Sequence, residues 1–129
     1  MKHQRLGDYL DHIAQAALDA QGFVEGMDEA GFLADKRTQQ AVVMSFIIMG
    51  EAATRLMDGY PDFVQARSEV SWRSMRNMRN RMAHGYFDID PSIVWGTLRD
   101  WVPGLLEQLA AIRESGVTET PDDPTGKAG

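Results

Sequence analysis

Apolar residues recur every three or four positions along most of this chain, the spacing of helices that bury one face. Leu6, Tyr9, Leu10, Ile13, Ala16, Ala17 and Ala20 form one such stripe and predict a helix over about 5–21, ended by Gly22 and Gly26. A short turn follows at 29–33. A second helix is predicted over about 35–57, with Gly59 and Pro61 as stop signals, and 61–70 leaves room for a brief helical turn. Ser71 suits the N-cap of a third helix reaching His84, with Gly85 ending it. Asp90 followed by Pro91 is a cap and first-turn signature for a last helix to about Glu114, which Pro103 should kink or split. No stretch sustains strand alternation and no internal repeat is found. The pattern predicts an all-α fold, an antiparallel four-helix bundle with an additional short or kinked helix, over residues 1–115. Residues 116–129, rich in Pro, Gly, Thr and Asp, read as a flexible tail.

The second helix carries apolar residues on more than one side. Val42, Phe46, Met49, Ala53 and Leu56 share one face, while Met44, Ile47 and Ile48 occupy much of the other. In a domain of four helices none is fully surrounded, so a homodimer with this helix near its interface is expected. The alternative is that the turn at 28–33 covers the second face. Glu51 lies within that surface, where a carboxylate must either be paired or reach water at the edge. The arginines of the third helix are its natural partners.

Composition narrows the chemistry. The chain has 129 residues, 43% hydrophobic and 25% charged, and no cysteine, which excludes disulfides, thiolate metal sites and a cysteine nucleophile. No metal site is legible, because His3 and His12 stand alone on the first helix. The N-terminus has no uninterrupted apolar segment, and the longest apolar run, AVVMSFIIMG, is too short to span a membrane. A soluble, cytoplasmic protein is expected. The tryptophans Trp72, Trp95 and Trp101 suit core or interface anchors.

Net charge is −6, which disfavours indiscriminate nucleic-acid binding, yet Arg73, Arg76, Arg79 and Arg81 fall within nine residues free of carboxylates. On a helical wheel Trp72, Met75, Met78, Met82 and Ala83 form an apolar arc, and Arg73, Asn77, Asn80 and His84 a polar flank with Arg76 at its border. Arg79 points into the apolar arc, where a guanidinium needs an anion or a carboxylate. Arg79 and His84 lie about 140° apart on an ideal helix, so a site using both needs a distorted helix or a second chain. Guanidinium, amide and imidazole suit phosphodiester chemistry: arginine binds phosphate in a fork, and histidine moves protons near neutral pH. Taken alone, the same residues also suit a solvated basic face with His84 as a helix-end cap, and Tyr86 suits simple packing beside Phe87.

The string RNRMAHGY, Arg79 to Tyr86, resembles the Arg-polar-spacer-His signature of the HEPN superfamily, and the tyrosine two residues after histidine is similar to its HepT branch. IIMGEAATRL on the second helix and VSWRSMRNMRNRMAHGYFDIDPSIVWGTL resemble the flanking segments of that branch, so the likeness covers about 5–113. It implies a dimeric helical protein whose two motifs line one cleft, acting as a metal-independent endoribonuclease without a cofactor. In that scheme the 2′-hydroxyl attacks the adjacent phosphate and leaves a 2′,3′-cyclic phosphate. His84 would be the general acid/base, Arg79 the phosphate and transition-state ligand, and Asn80 would orient the phosphate or the histidine. Arg73, Arg76 and Arg81 would draw the RNA backbone, with Glu51 in support. Tyr86 would be adenylylated by a cognate minimal nucleotidyltransferase antitoxin, silencing a toxin. The alternative is a noncatalytic helical subunit that binds nucleotide or RNA and serves that nucleotidyltransferase.

Overall fold

The computed structural model describes residues 6–116, and the expected chain start at 1–5, with His3, and the tail at 117–129 lie outside them. Among the described residues there are seven α-helices, one 3-10 turn and no strand. The helices are α1 (Leu6–Phe23), α2 (Glu29–Leu33), α3 (Lys36–Gly59), α4 (Pro61–Ala66), α5 (Trp72–His84), α6 (Pro91–Asp100) and α7 (Val102–Glu114), with the 3-10 turn at Tyr86–Asp88. The turns expected at 29–33 and 61–70 are thus short helices.

Local chemistry accounts for the boundaries. Asp28, Asp35 and Asp90 cap α2, α3 and α6 through carboxylate oxygens that accept from the N–H groups of Gly31, Thr38 and Ser92. Bonds from Thr38 and Ser92, side chain first, hold the Asp35 and Asp90 carboxyls below the ordinary carboxylate range. Ser71 precedes α5 as expected, but its hydroxyl makes no capping bond. The last helical segment breaks at Trp101, which leaves Pro103 in the first turn of α7, where its missing N–H costs nothing.

Helix α3 is the centre of the fold and packs along both α1 and α5. Gln40 meets Tyr86 beyond the end of α5 while Gly50 meets Met75 and Arg79 within it, so α3 and α5 run antiparallel. Phe46, Met49 and Leu56 of α3 are fully buried with Leu10 and Ile13 of α1 and Met75 of α5. Burying a side chain the size of Phe46 contributes roughly 1.5–3 kcal/mol. Phe32 of α2 is also buried, with its ring 5.3 Å from that of Trp95 on α6. Trp72 is buried and donates its indole N–H to the Arg67 carbonyl at 3.0 Å. Ala83, expected in the core arc of α5, is exposed instead, because α3 covers only the Met75 side of that helix.

The second face of α3 stays open. Met44 is 55% and Ile48 44% exposed, so α2 does not cover them. An 18-residue window of α3 reaches a mean hydropathy of 1.2, apolar and long enough to cross a membrane, further than the interrupted run suggests. Half of that window is buried inside the protein, the mark of a core helix.

Candidate active site

The site begins with a close crossing. Gly50 lies where α3 passes α5, and a Cβ there would collide with Arg79 Cβ and sit 2.5 Å from the Met75 carbonyl oxygen. Without a side chain at Gly50 the backbones approach, and the stem of Arg79 lies against α3. Arg79 then donates from Nη1 to Glu51 Oε1, from Nη2 to Thr54 Oγ1 at 3.5 Å and from Nε to Asn80 Oδ1 at 2.8 Å. The guanidinium is therefore held on three sides, with its side chain 22% exposed. One N–H on each of Nη1 and Nη2 remains to meet a phosphate oxygen.

Glu51 is both paired and near the edge, which joins the two alternatives open in the sequence. Its other oxygen accepts from Arg55 Nε at 3.1 Å. The Glu51 contact is the main reason the Arg55 guanidinium is held in its charged form above its ordinary range. Two arginines on one carboxylate leave this corner with net positive charge.

Asn80, expected to orient the phosphate or the histidine, accepts from Arg79 Nε through its Oδ1. His84 ends α5, is exposed, and makes no side-chain hydrogen bond or ion pair among the described residues. Within one chain the structure does not bring His84 onto Arg79: α5 is regular over Trp72–His84, so the two stay on different sides of it. Arg73, Arg76 and Arg81 have no carboxylate partner among the described residues. Arg73 sits in the first turn of α5, whereas Tyr86 lies past the last, so the two stand at opposite ends of that helix. Tyr86 is half exposed, and its hydroxyl accepts from Gln40 Nε2 at 2.7 Å. Phe87 beside it is 97% exposed. Gly85 ends α5 at φ −124°, outside the left-handed region. A side chain at Gly85 would still crowd the Arg81 carbonyl, 3.1 Å from its Cβ.

Gly50, Thr54 and Arg55 lie in the IIMGEAATRL segment that carries the resemblance but were given no role from the sequence, and Gln40 was not singled out. Only Arg55 carried a signal, its spacing of four from Glu51 on one helix. Among the described residues no group of three or more His, Cys, Asp or Glu side chains could hold a metal ion.

Comparison with known proteins places the chain in a family. The profile described as HepT-like, ribonuclease HepT-like, matches residues 13–112. A Thermococcus cleftensis protein named probable ribonuclease HepT is 34% identical over 107 residues, 83% of this chain and 94% of that one. A protein of Methanocaldococcus jannaschii, provisionally named an RNase, is 32% identical over 104 residues, covering 81% of this chain and 84% of its own. One from Caldanaerobacter subterraneus, named in the same way, is also 32% identical over 104 residues, 81% and 90% of the two chains. No solved structure is a significant match. The chain belongs to the HepT-like ribonuclease family.

Proposed function

We propose that this protein is the toxin of a cytoplasmic toxin–antitoxin pair, a metal-independent endoribonuclease that works as a homodimer of four-helix bundles. The observation that carries the reading is the Arg79 guanidinium held by Glu51, Thr54 and Asn80 on the same helix that ends in an open His84. A positioned guanidinium stabilises charge on a phosphate in flight, and a partner-free imidazole is available for proton transfer. Because the two lie on different sides of α5, a second copy across the Met44–Ile48 face is the simplest way to bring one chain's arginine to the other's histidine.

In the proposed reaction the RNA 2′-oxygen attacks the adjacent phosphorus and gives its proton to His84. The P–O5′ bond breaks, the 5′-oxygen takes that proton back from His84, and a 2′,3′-cyclic phosphate remains. Arg79 contacts the phosphate oxygens, while Arg73, Arg76 and Arg81 attract the strand along α5. A minimal nucleotidyltransferase silences the nuclease by adenylylating Tyr86.

The test is RNA cleavage by the wild type, His84→Ala and Arg79→Ala, with folding followed by circular dichroism. Both variants should lose cleavage by at least a hundredfold, on the order of what one general acid/base or one charge-stabilising donor supplies. Chelation should leave wild-type cleavage intact. A wild type that binds RNA without cutting it would instead favour a noncatalytic binding subunit, and full activity of His84→Ala would sink the mechanism.

A further inference from the structure

A cleft of about 430 Å³ opens between α5 and α6, on the side of α5 away from Arg79. Its buried side is apolar, made by Met78, Met82 and Val94. Asn77 and Arg81 form its α5 wall and Asp88 of the 3-10 turn lines it as well. Among the described residues the side chains of all three lack a hydrogen bond or ion pair. The volume falls within the roughly 300–1,000 Å³ of small-ligand sites, and an apolar bed with a few convergent polar groups is their usual composition.

Position and charge identify the occupant. Asn77, Arg81 and His84 follow one another at spacings of four and three, hence along one face of α5. Asn77 and His84 are roughly 10 Å apart along the helix axis, near enough for one nucleotide to enter the cleft while its neighbour's phosphate meets His84. The cleft is a poor seat for phosphate, since Asp88 and Asp90 both line it. The Asp90 carboxylate is already engaged by Ser92, but that of Asp88 is free to accept. An apolar bed takes the flat face of a base. A guanidinium matches the O6/N7 acceptors of guanine, and a carboxylate matches its N–H donors.

We propose that the cleft between α5 and α6 is a base-binding subsite that holds a guanine of the RNA, next to the nucleotide whose phosphate meets His84. This rests on the ribonuclease reading above. Asn77 and Asp88 then become specificity residues, and Arg81 serves the base as well as the backbone.

The test uses a short guanine-containing RNA with a 2′-deoxy sugar at the cut site, so that binding is read without chemistry, and removes one base at a time. In fluorescence anisotropy one abasic position should weaken wild-type binding about tenfold, the scale of losing one well-held base. Guanine-to-adenine exchange at that position should reproduce most of the loss. Asn77→Leu, and separately Thr97→Trp filling the cleft from α6, should bind intact and abasic RNA alike while remaining helical by circular dichroism. No sensitive position in the wild type, unchanged sensitivity in both variants, or adenine bound as well as guanine would each overturn the proposal. Cleavage of the all-ribose RNA is scored separately: base sensitivity without cleavage removes the ribonuclease reading and leaves the subsite standing.

Discussion

Gly50 of α3 and Arg79 of α5 cross so closely that no side chain fits between them. The contact converts a missing methyl group into the placement of a cation, since Arg79 reaches Glu51 and Thr54 only because the two backbones meet there. Gly50→Ala should force α3 and α5 apart. Overpacking of this kind costs about 1–3 kcal/mol, a fall in Tm on the order of 5–10 °C for a chain of this size. RNA cleavage should fall more steeply than stability, because the guanidinium shifts with α5. An unchanged Tm in thermal denaturation would mean that the helices do not cross this closely in solution.

Glu51 is a positioning residue in this scheme, touching Arg79 and Arg55 rather than substrate. Glu51→Gln keeps an acceptor and the shape but removes the charge that holds both arginines. The expected outcome is a kcat lowered roughly ten- to hundredfold, the scale of a small misplacement of a catalytic group, with KM within a few-fold of wild type. A purely structural role would lower Tm with no such split, and a rise in KM at constant kcat would place Glu51 in substrate binding instead.

Helix α3 turns Met44 and Ile48 outward beside a groove of about 440 Å³ that includes Tyr9, His12, Ile47 and Ala52. If a second copy covers this face, wild-type protein should sediment at twice 14.4 kDa at micromolar concentration. Ile48→Glu adds a carboxylate one helical turn from Met44 and three residues from Glu51, and should give the single-chain mass. Cleavage should then fall in proportion to the dimer lost. A dimeric Ile48→Glu protein would show that this face is not the interface.

Much of this was legible before any coordinates. The starts of α5 and α6, the break near Pro103 and the two-sided character of α3 follow from caps, proline and periodicity, all local properties. The Glu51–Arg79 pair was legible in outline, because an apolar surface holding a carboxylate and an apolar arc holding a guanidinium each need a partner. Ala83 was misplaced because a wheel gives a residue's direction but not which neighbouring helix lies there. The close approach at Gly50 and the Gln40 bond escape the sequence for a related reason. Their roles depend on which residue of a distant helix lies opposite, and no spacing within one helix encodes that.

The last prediction concerns Tyr86 and Gln40. The Tyr86 hydroxyl accepts from the Gln40 amide at 2.7 Å, tying the segment after α5 back to the first turns of α3. Adenylyl transfer to a phenol needs that oxygen as the nucleophile, with a lone pair free to attack the α-phosphorus of ATP, its proton lost and pyrophosphate released as the new bond forms. The Gln40 bond occupies one lone pair and fixes the ring, so it restrains the hydroxyl as it turns to attack. A hydrogen bond of this kind contributes about 0.5–1.5 kcal/mol, so Gln40→Ala should speed modification by roughly two- to tenfold. With a minimal nucleotidyltransferase and ATP, intact-mass spectrometry should show whole AMP additions appearing faster on Gln40→Ala than on wild type, and none on Tyr86→Phe. The added phosphates would bring negative charge to the end of α5 that carries Arg81 and His84, repelling the RNA backbone that those residues attract. Phe87, almost wholly exposed next to Tyr86, would offer a modifying enzyme an apolar hold. Phe87→Ala should therefore slow modification while leaving RNA cleavage unchanged. Adducts on Tyr86→Phe would move the modification elsewhere, and equal rates for Gln40→Ala and wild type would mean that the bond to Gln40 does not restrain the hydroxyl.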